Sequence, residues 1–297
     1  MIRSLHLADV AMLLLFLGKS PVDEAKARCK LNDRGRKLAA LFPLLRSCLV
    51  SQDTQHSCIC IHGGFIQGLA ALQSCRGHTA WEIERLLFIQ GREDCSLDLM
   101  EGLGSTGDDI QAGRLFLRLR AGSPVIEKAR QAGFRHYLTE FLYRLGDGQQ
   151  VRPPEGSIIV RPKTKADEHR LFRLYTAAAP VQVRAVEGMT YEEWRQSKDR
   201  GPVKELVFEE GGEAVGWLRI RFDGKAGQFS IVGDLEASKM GDLVDYGLSA
   251  MRRSNPVYCL VPEYQPQLQR VLEEKGFQHV DELLCLSKEL MARVREH

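Results

Sequence analysis

Apolar and polar positions alternate with a period of two in six short runs, three in each half of the chain. In the second half these are Lys204 to Glu209, Ala214 to Phe222 and Gln228 to Val232, and the spacing predicts half-buried strands. They are separated by Glu210-Gly211-Gly212-Glu213 and Asp223-Gly224-Lys225-Ala226-Gly227, both natural hairpin turns. The first half repeats the scheme with Ser57 to Ile61, Phe65 to Gln73 and Thr79 to Phe88, joined by His62-Gly63-Gly64 and Arg76-Gly77-His78. Ahead of each triplet stands a strand followed by Ala-Asp opening a helix: Ile2 to Leu7 with Ala8-Asp9, and Ile158 to Pro162 with Ala166-Asp167 before Glu168 to Ala178. After each triplet come a helix and a fifth strand, Arg114 to Arg120 or Val257 to Val261. A glycine-stopped amphipathic helix follows, Val125 to Gly133-Phe134 or Leu268 to Gly276-Phe277, and then a β-run, Arg135 to Leu142 or Gln278 to Leu286, expected to open a closing pair of strands.

Each half therefore reads β-α-α-β-β-β-α-β-α-β-β, and units of this length are duplicated globular domains rather than solenoid repeats. Gly146 to Gly156 combines turn formers with no apolar period and reads as a linker, giving domains at 1–145 and 157–297. The fold class expected is α+β, with each domain a mixed, mainly antiparallel sheet flanked by helices. At 297 residues, 44% apolar and 27% charged, the chain is long enough for two cores. A formal charge of +2 does not mark a nucleic-acid binder. The eight cysteines show no C-x-x-C spacing and mostly interrupt apolar runs, as expected of buried thiols in a reducing cytoplasm. The apolar stretch Val10 to Leu17 is too short to span a bilayer and reads as a first core helix capped by Asp9, so no membrane partner is expected.

This order, with Gly-Phe ending the last helix and a β-run after it, resembles the GNAT acyltransferase superfamily, and the whole chain resembles a tandem GNAT protein. The resemblance implies an acyl-CoA-dependent N-acyltransferase that takes acetyl-CoA as acyl donor and passes the acetyl group to a small-molecule or peptide amine, with no metal. In that family the fourth strand splays from the fifth to admit the pantetheine arm. A glycine-rich loop then offers backbone N–H groups at a helix N-terminus to the pyrophosphate.

By this resemblance the cofactor region of the second half is Ile231, Val232, Gly233, Ser238, Lys239, Met240 and Gly241, with Gln265 where the family often places an asparagine near the pantetheine. The usual glycine slots fall near Ser238 and Met240. The equivalent first-half stretch, Gly91 to Ser96, carries adjacent carboxylates Glu93 and Asp94, which would repel a pyrophosphate. The positions of the family's proton-donating tyrosine hold Ala129 and Leu272, and Tyr264 is the nearest substitute in sequence. A strand-four carboxylate often serves as base; Glu82 and Glu84 lie on that strand of the first half and share a face, whereas the second half offers none there. The better base and the better cofactor loop thus belong to different copies, which leaves open a catalytically inactive ligand-binding or interaction protein that keeps the fold.

Other patterns carry less. His56-x-Cys58-x-Cys60-x-His62 shares one strand face, but at about 3.3 Å per residue its ends are roughly 20 Å apart, too far for one zinc. Lys26, Arg28, Lys30, Arg34, Arg36 and Lys37 form the densest basic run, read as a solvated helix face, as a selector of acidic acceptors, or as an attachment to RNA. Trp194 reads as a core anchor or as a wall of the acceptor pocket.

Overall fold

The computed structural model describes residues 1–27, 54–75, 79–89, 91, 95–109, 112–146, 159–198, 202–223, 225–233 and 235–290. The basic run beyond Lys26, the linker beyond Gly146, and Arg92 to Asp94 of the first-half loop lie outside them. The described residues form two compact units. Unit 1 comprises Met1–Tyr137, Arg195–Arg200 and Leu284–His297; unit 2 comprises Leu138–Trp194 and Gly201–Leu283.

In unit 1, β1 (Ile2–Ser4), β3 (Gln55–His62), β4 (Phe65–Ser74) and β5 (Ala80–Phe88) run antiparallel in that order, and β5 then pairs in parallel with β6 (Arg114–Arg120). A short strand β2 (Val22–Asp23) leaves this order to pair with β5. One sheet face packs on α1 (Val10–Gly18) through Leu13, Phe16 and Leu17, with Ile59, Leu69 and Leu87 beneath. The other packs on α2 (Cys95–Asp109) and α3 (Ile126–Gln131) through Leu99, Met100, Leu103 and Ala129. The alternation Cys58, Cys60 against Ile59, Ile61 distributes β3 between these two cores, as a period of two requires. The strand Ile2 to Leu7 expected from the pattern is shorter, because Leu7–Asp9 turns as a 3-10 helix.

Unit 2 repeats the plan. Its sheet order is β7 (Arg135–Leu145), β12 (Val257–Pro262), β11 (Ala226–Val232), β10 (Glu213–Asp223), β9 (Lys204–Glu210) and β8 (Ile159–Pro162), antiparallel except for β11 with β12. On one face lie α4 (Glu168–Ala178), α5 (Val181–Glu187) and α6 (Tyr191–Gln196). Leu171, Tyr175 and Trp194 from α4 and α6 meet Val207 and Trp217 of the sheet. On the other lie α7 (Ala237–Ala250) and α8 (Pro266–Glu274), whose Leu243, Val244, Leu268 and Leu272 meet Leu218, Phe229 and Val261.

The two copies share three locally dictated features. Arg3 holds Asp9 by two bonds of 2.6 Å, and Arg161 holds Asp167 by bonds of 2.7 and 2.6 Å. Each aspartate also accepts a backbone N–H three residues upstream, from His6 or Thr164, so a buried carboxylate closes the first strand onto the first helix. Both carboxyls are held below the usual carboxylate range, chiefly by the arginine. The Gly63-Gly64 and Gly211-Gly212 hairpins have positive φ at both glycines, as a type I′ turn demands. Gly133 (φ 90°) and Gly276 (φ 82°) stop α3 and α8, and the N–H of the following phenylalanine donates to Ala129 or Leu272.

The end of each half departs from the expected pair of strands. A single long strand stands there, 11 residues in β7 and 12 in β13 (Gln278–Glu289). Unit 2 takes Leu138–Leu145 of β7, which pairs with β12 from Glu140↔Pro262 to Val257↔Leu145. Unit 1 takes Leu284–Glu289 of β13, which lies beside β6. Alternation sets which face of a strand is buried but carries no address for its neighbour.

Candidate functional site

In each unit the fourth and fifth sheet strands start as a parallel pair and then part. In unit 2 the register holds for Gly227↔Val257, Gln228↔Tyr258 and Phe229↔Cys259 and goes no further, so Ser230 to Val232 and Leu260 to Pro262 diverge. In unit 1 it holds for Ala80↔Arg114, Trp81↔Leu115 and Glu82↔Phe116, after which Ile83 to Phe88 diverges from Leu117 to Arg120. Strand edges that separate in this way expose backbone donors and acceptors that need another partner.

The first crevice has one in the chain itself. Val22 and Asp23 pair with Phe88 and Leu87, and the Glu24 N–H donates to the Leu86 carbonyl at 3.0 Å. On the opposite wall Ala25 bridges Leu119, and the Lys26 N–H donates to the Arg118 carbonyl at 2.9 Å. Side chains fix the segment further: Asp23 accepts the Leu86 N–H (3.0 Å) and Arg85 (3.1 Å), and Glu24 accepts the Ser123 hydroxyl (2.6 Å). Residues 22–26 thus fill the crevice with their own backbone. Sequence reading missed this segment, because two strand residues inside a polar stretch leave no period to detect.

No described strand does the same in unit 2: β11 pairs only with β10 and β12. Three residues past the end of β12, Gln265 is 6% exposed, and neither atom of its amide has a hydrogen-bond partner among the described residues. Burying an unsatisfied amide costs about 1–3 kcal/mol, so the Gln265 amide calls for a partner beyond the described residues, such as a water or a ligand. Gln265 is held there because it precedes Pro266, the first residue of α8, and its N–H is fixed to the Pro262 carbonyl at 3.0 Å. Tyr264, beside it, is half-buried and packs with Val232 against the cluster of Trp194 and Trp217.

The remaining expected cofactor residues divide by role. Ile231 and Met240 turn their side chains into the core, at 1% and 2% exposure, which leaves only their backbone to face a ligand. Val232 faces the other way, and Gly233 lies so close to β10 that a Cβ would stand 2.9 Å from the Val215 carbonyl oxygen. Ser238 lies in the first turn of α7. The Lys239 ammonium is held by both carboxylate oxygens of Glu210, at 2.7 and 2.8 Å, and Glu236 stands at the N-cap of α7. Gly241 is passed closely by Lys275: an added Cβ would lie 3.6 Å from its Cε and 3.8 Å from its Nζ. Lys275, which also pairs with Asp245 at 2.7 Å, escaped sequence reading because it sits 34 residues along, after α8, and only the helix pair brings it to α7.

The carboxylates expected to serve as base lie in unit 1. Glu82 is on the last paired rung and bonded to Arg118, and it is buried with Glu84. A register shift between Ala71 and Leu72 leaves Glu84 as the extra residue of a bulge on β5. Among the described residues no group of three His, Cys, Asp or Glu side chains could hold a metal. Cys58 and Cys60 are buried, with Cys60 pushed up to about 12 by burial and by Cys95, while His56 meets the Ser4 hydroxyl at 3.3 Å. Trp194 is 4% exposed and is a core anchor. No described helix is long and apolar enough to cross a membrane.

A repeated sheet with a parting fourth and fifth strand, flanked by helices on both faces, is the tandem GNAT fold, and solved structures match it across the chain. A GCN5-related N-acetyltransferase from Sphaerobacter thermophilus is 18% identical with TM-score 0.56, covering 97% of this chain and 95% of its own. A tandem GNAT protein from the clavulanic acid biosynthesis pathway is 13% identical with TM-score 0.55, covering 100% and 99%. A putative acetyltransferase from Pyrococcus horikoshii is 12% identical with TM-score 0.55, covering 99% and 91%. At such identities the likeness is one of fold. No protein-family profile and no curated protein matches the sequence.

Proposed function

We propose that the protein is an acyl-CoA-dependent N-acyltransferase in which unit 2 alone takes the donor, acetyl-CoA. The observation that carries this reading is the contrast between the crevices. The one between β5 and β6 is filled by residues 22–26, while along the one between β11 and β12 no described strand pairs with the parted edges, and the Gln265 amide, three residues past the end of β12, has no hydrogen-bond partner among the described residues. A pantetheine arm supplies amide groups and an extended chain, which suits both. Gln265 would bond the arm, and Lys239 and Lys275 flank the first turns of α7 where the phosphates would meet backbone N–H groups.

Acyl transfer then needs little from side chains. An unprotonated amine attacks the thiolester carbonyl, forming the C–N bond. The oxyanion is stabilised by N–H groups on the parted edge of β11, and collapse breaks the C–S bond as the surplus proton of the former amine passes to solvent water. The departing thiolate takes a proton from Tyr264, and the tyrosinate so formed is reprotonated from solvent, which closes the proton balance.

A second reading, a binding protein that keeps the fold without the reaction, is favoured by one observation: Glu236 and Glu210 crowd the helix end that would receive the phosphates. Calorimetry with acetyl-CoA decides between them. Binding that is lost in Gly241→Glu, which sets a carboxylate beside Lys275, supports the transferase site. No heat at millimolar acetyl-CoA, or unchanged affinity in the variant, refutes it.

A further inference from the structure

Unit 1 carries two cysteines where unit 2 closes the same contact without them. The strand before the first double-glycine hairpin, β3, places Cys60 in the core on which α2 packs. Three residues before the second hairpin, the same position of unit 2 is Phe208, whose ring meets that of Tyr246 on α7 edge to face, with centroids 5.8 Å apart. Ordinary apolar packing therefore suffices to seat this helix on this strand, and the fold itself does not call for thiols there.

The placement of α2 brings the second thiol to the first. Cys95, Leu99 and Gly102 follow the i, i+4, i+7 spacing of one helix face. Leu99 is wholly buried in the core that contains Cys60, and Cys95 packs against that core. Gly102 passes so near β1 that an added Cβ would stand 2.7 Å from Ile2 Cγ2, and Ile2 is the cross-strand partner of Cys60. The face that begins at Cys95 thus runs over β1 and β3, and the Cys60 and Cys95 thiols are in hydrogen-bond contact. Both are free. They differ in access: Cys60 is 2% exposed, whereas Cys95, the first residue of α2, is half-buried. Burial and the neighbouring sulfur push the Cys60 thiol up, so Cys60 keeps its proton and donates it to Cys95.

We propose that Cys95 and Cys60 are a redox pair, oxidised by a hydroperoxide to a disulfide that ties α2 to β3. The reaction is independent of the transferase reading. The Cys95 sulfur, the more accessible, attacks the O–O bond; with hydrogen peroxide this gives a sulfenic acid and one water. The Cys60 sulfur then displaces the sulfenic hydroxyl. The S–S bond forms, the S–O bond breaks, and the proton that Cys60 held leaves with that oxygen as a second water. Each sulfur gives up one electron and the peroxide takes both. A small dithiol reverses the change by thiol–disulfide exchange and leaves as its own disulfide.

The test treats the full, folded chain, reduced and then freed of reductant, with hydrogen peroxide and maps its thiols by tandem mass spectrometry. Two thiols should be lost together, Cys60 and Cys95 should appear in one linked species lighter by two hydrogens, and dithiothreitol should restore both. Because Cys60 is reached only through Cys95, Cys95→Ser should slow the loss of the Cys60 thiol at least about tenfold. In Cys60→Ala, Cys95 should stop at the sulfenic acid and be trapped by dimedone; the wild-type map and Cys95→Ser decide the matter without it if that variant does not fold. A folded protein whose Cys95 stays reduced would overturn the proposal. So would Cys95 driven to the sulfinic acid beside a free Cys60 thiol, a linkage of either residue to another cysteine, or a Cys60 oxidised as fast in Cys95→Ser as in wild type.

Discussion

Replacing Gln265 with methionine separates a ligand-binding amide from a structural one, because the two roles predict opposite signs. In the free protein both amide atoms are buried without partners among the described residues, so an unbranched apolar side chain of similar length removes an unsatisfied group worth about 1–3 kcal/mol. Allowing for imperfect packing, Gln265→Met should stabilise the ligand-free protein by about 1–2 kcal/mol, or roughly 2–4 °C per kcal/mol in melting temperature. In the proposed complex the same change would forfeit two hydrogen bonds to the pantetheine arm, weakening acetyl-CoA by about ten- to thirtyfold at roughly 1 kcal/mol each. Differential scanning fluorimetry across an acetyl-CoA titration reads both effects. The variant should melt higher than wild type without ligand, and the order should narrow or reverse as ligand saturates. A variant that melts lower without ligand would mean the amide is satisfied within the fold. Equal affinities would remove Gln265 from the site.

Two further outcomes follow from the fold. Asp167 is held below the usual carboxylate range by Arg161, so its contribution is present above the unfolded value near 3.9 and is lost as pH falls through the lower folded value. Asp167→Asn should therefore cost about 2–3 kcal/mol at neutral pH, less than a fully buried pair because Arg161 keeps 30% exposure, and the gap to wild type should shrink in acid unfolding curves; a constant gap refutes the assignment. A fragment of residues 157–297 lacks Leu138–Leu145 and leaves the β12 edge of Val257–Pro262 unpaired, so it should aggregate or unfold without cooperativity. A monomeric fragment melting like the full chain would contradict this strand's place in unit 2.

Much of the fold was legible wherever local rules decide it. Period-two alternation predicted β9 to β11 to within two residues at each end, because each of these strands buries one face in each of two cores. Double glycines placed the hairpins, and Gly133 and Gly276 the helix ends. Pairing between distant segments was not legible. Nothing in Arg135 to Leu145 says that its neighbour is Val257 to Pro262 rather than a strand of its own half, and two closing strands were expected where one stands. The filled crevice of unit 1 was equally hidden, since Val22 to Lys26 acts through backbone bonds that any residues could make. At the candidate site, Gln265 was reached from its place just past the fifth strand and Gly241 from the start of the helix, both through the family resemblance, whereas the approach of Lys275 to Gly241 exists only once the helices are assembled.

Of the two crevices, only that of unit 2 is proposed to admit a thiolester. A crystal of the protein grown with coenzyme A should show one pantetheine arm per chain, lying between Ser230–Val232 and Leu260–Pro262 with its amide against Gln265, and residues 22–26 still in place between β5 and β6. Coenzyme A in the first crevice with that segment displaced, or side chains closing the second, would contradict it.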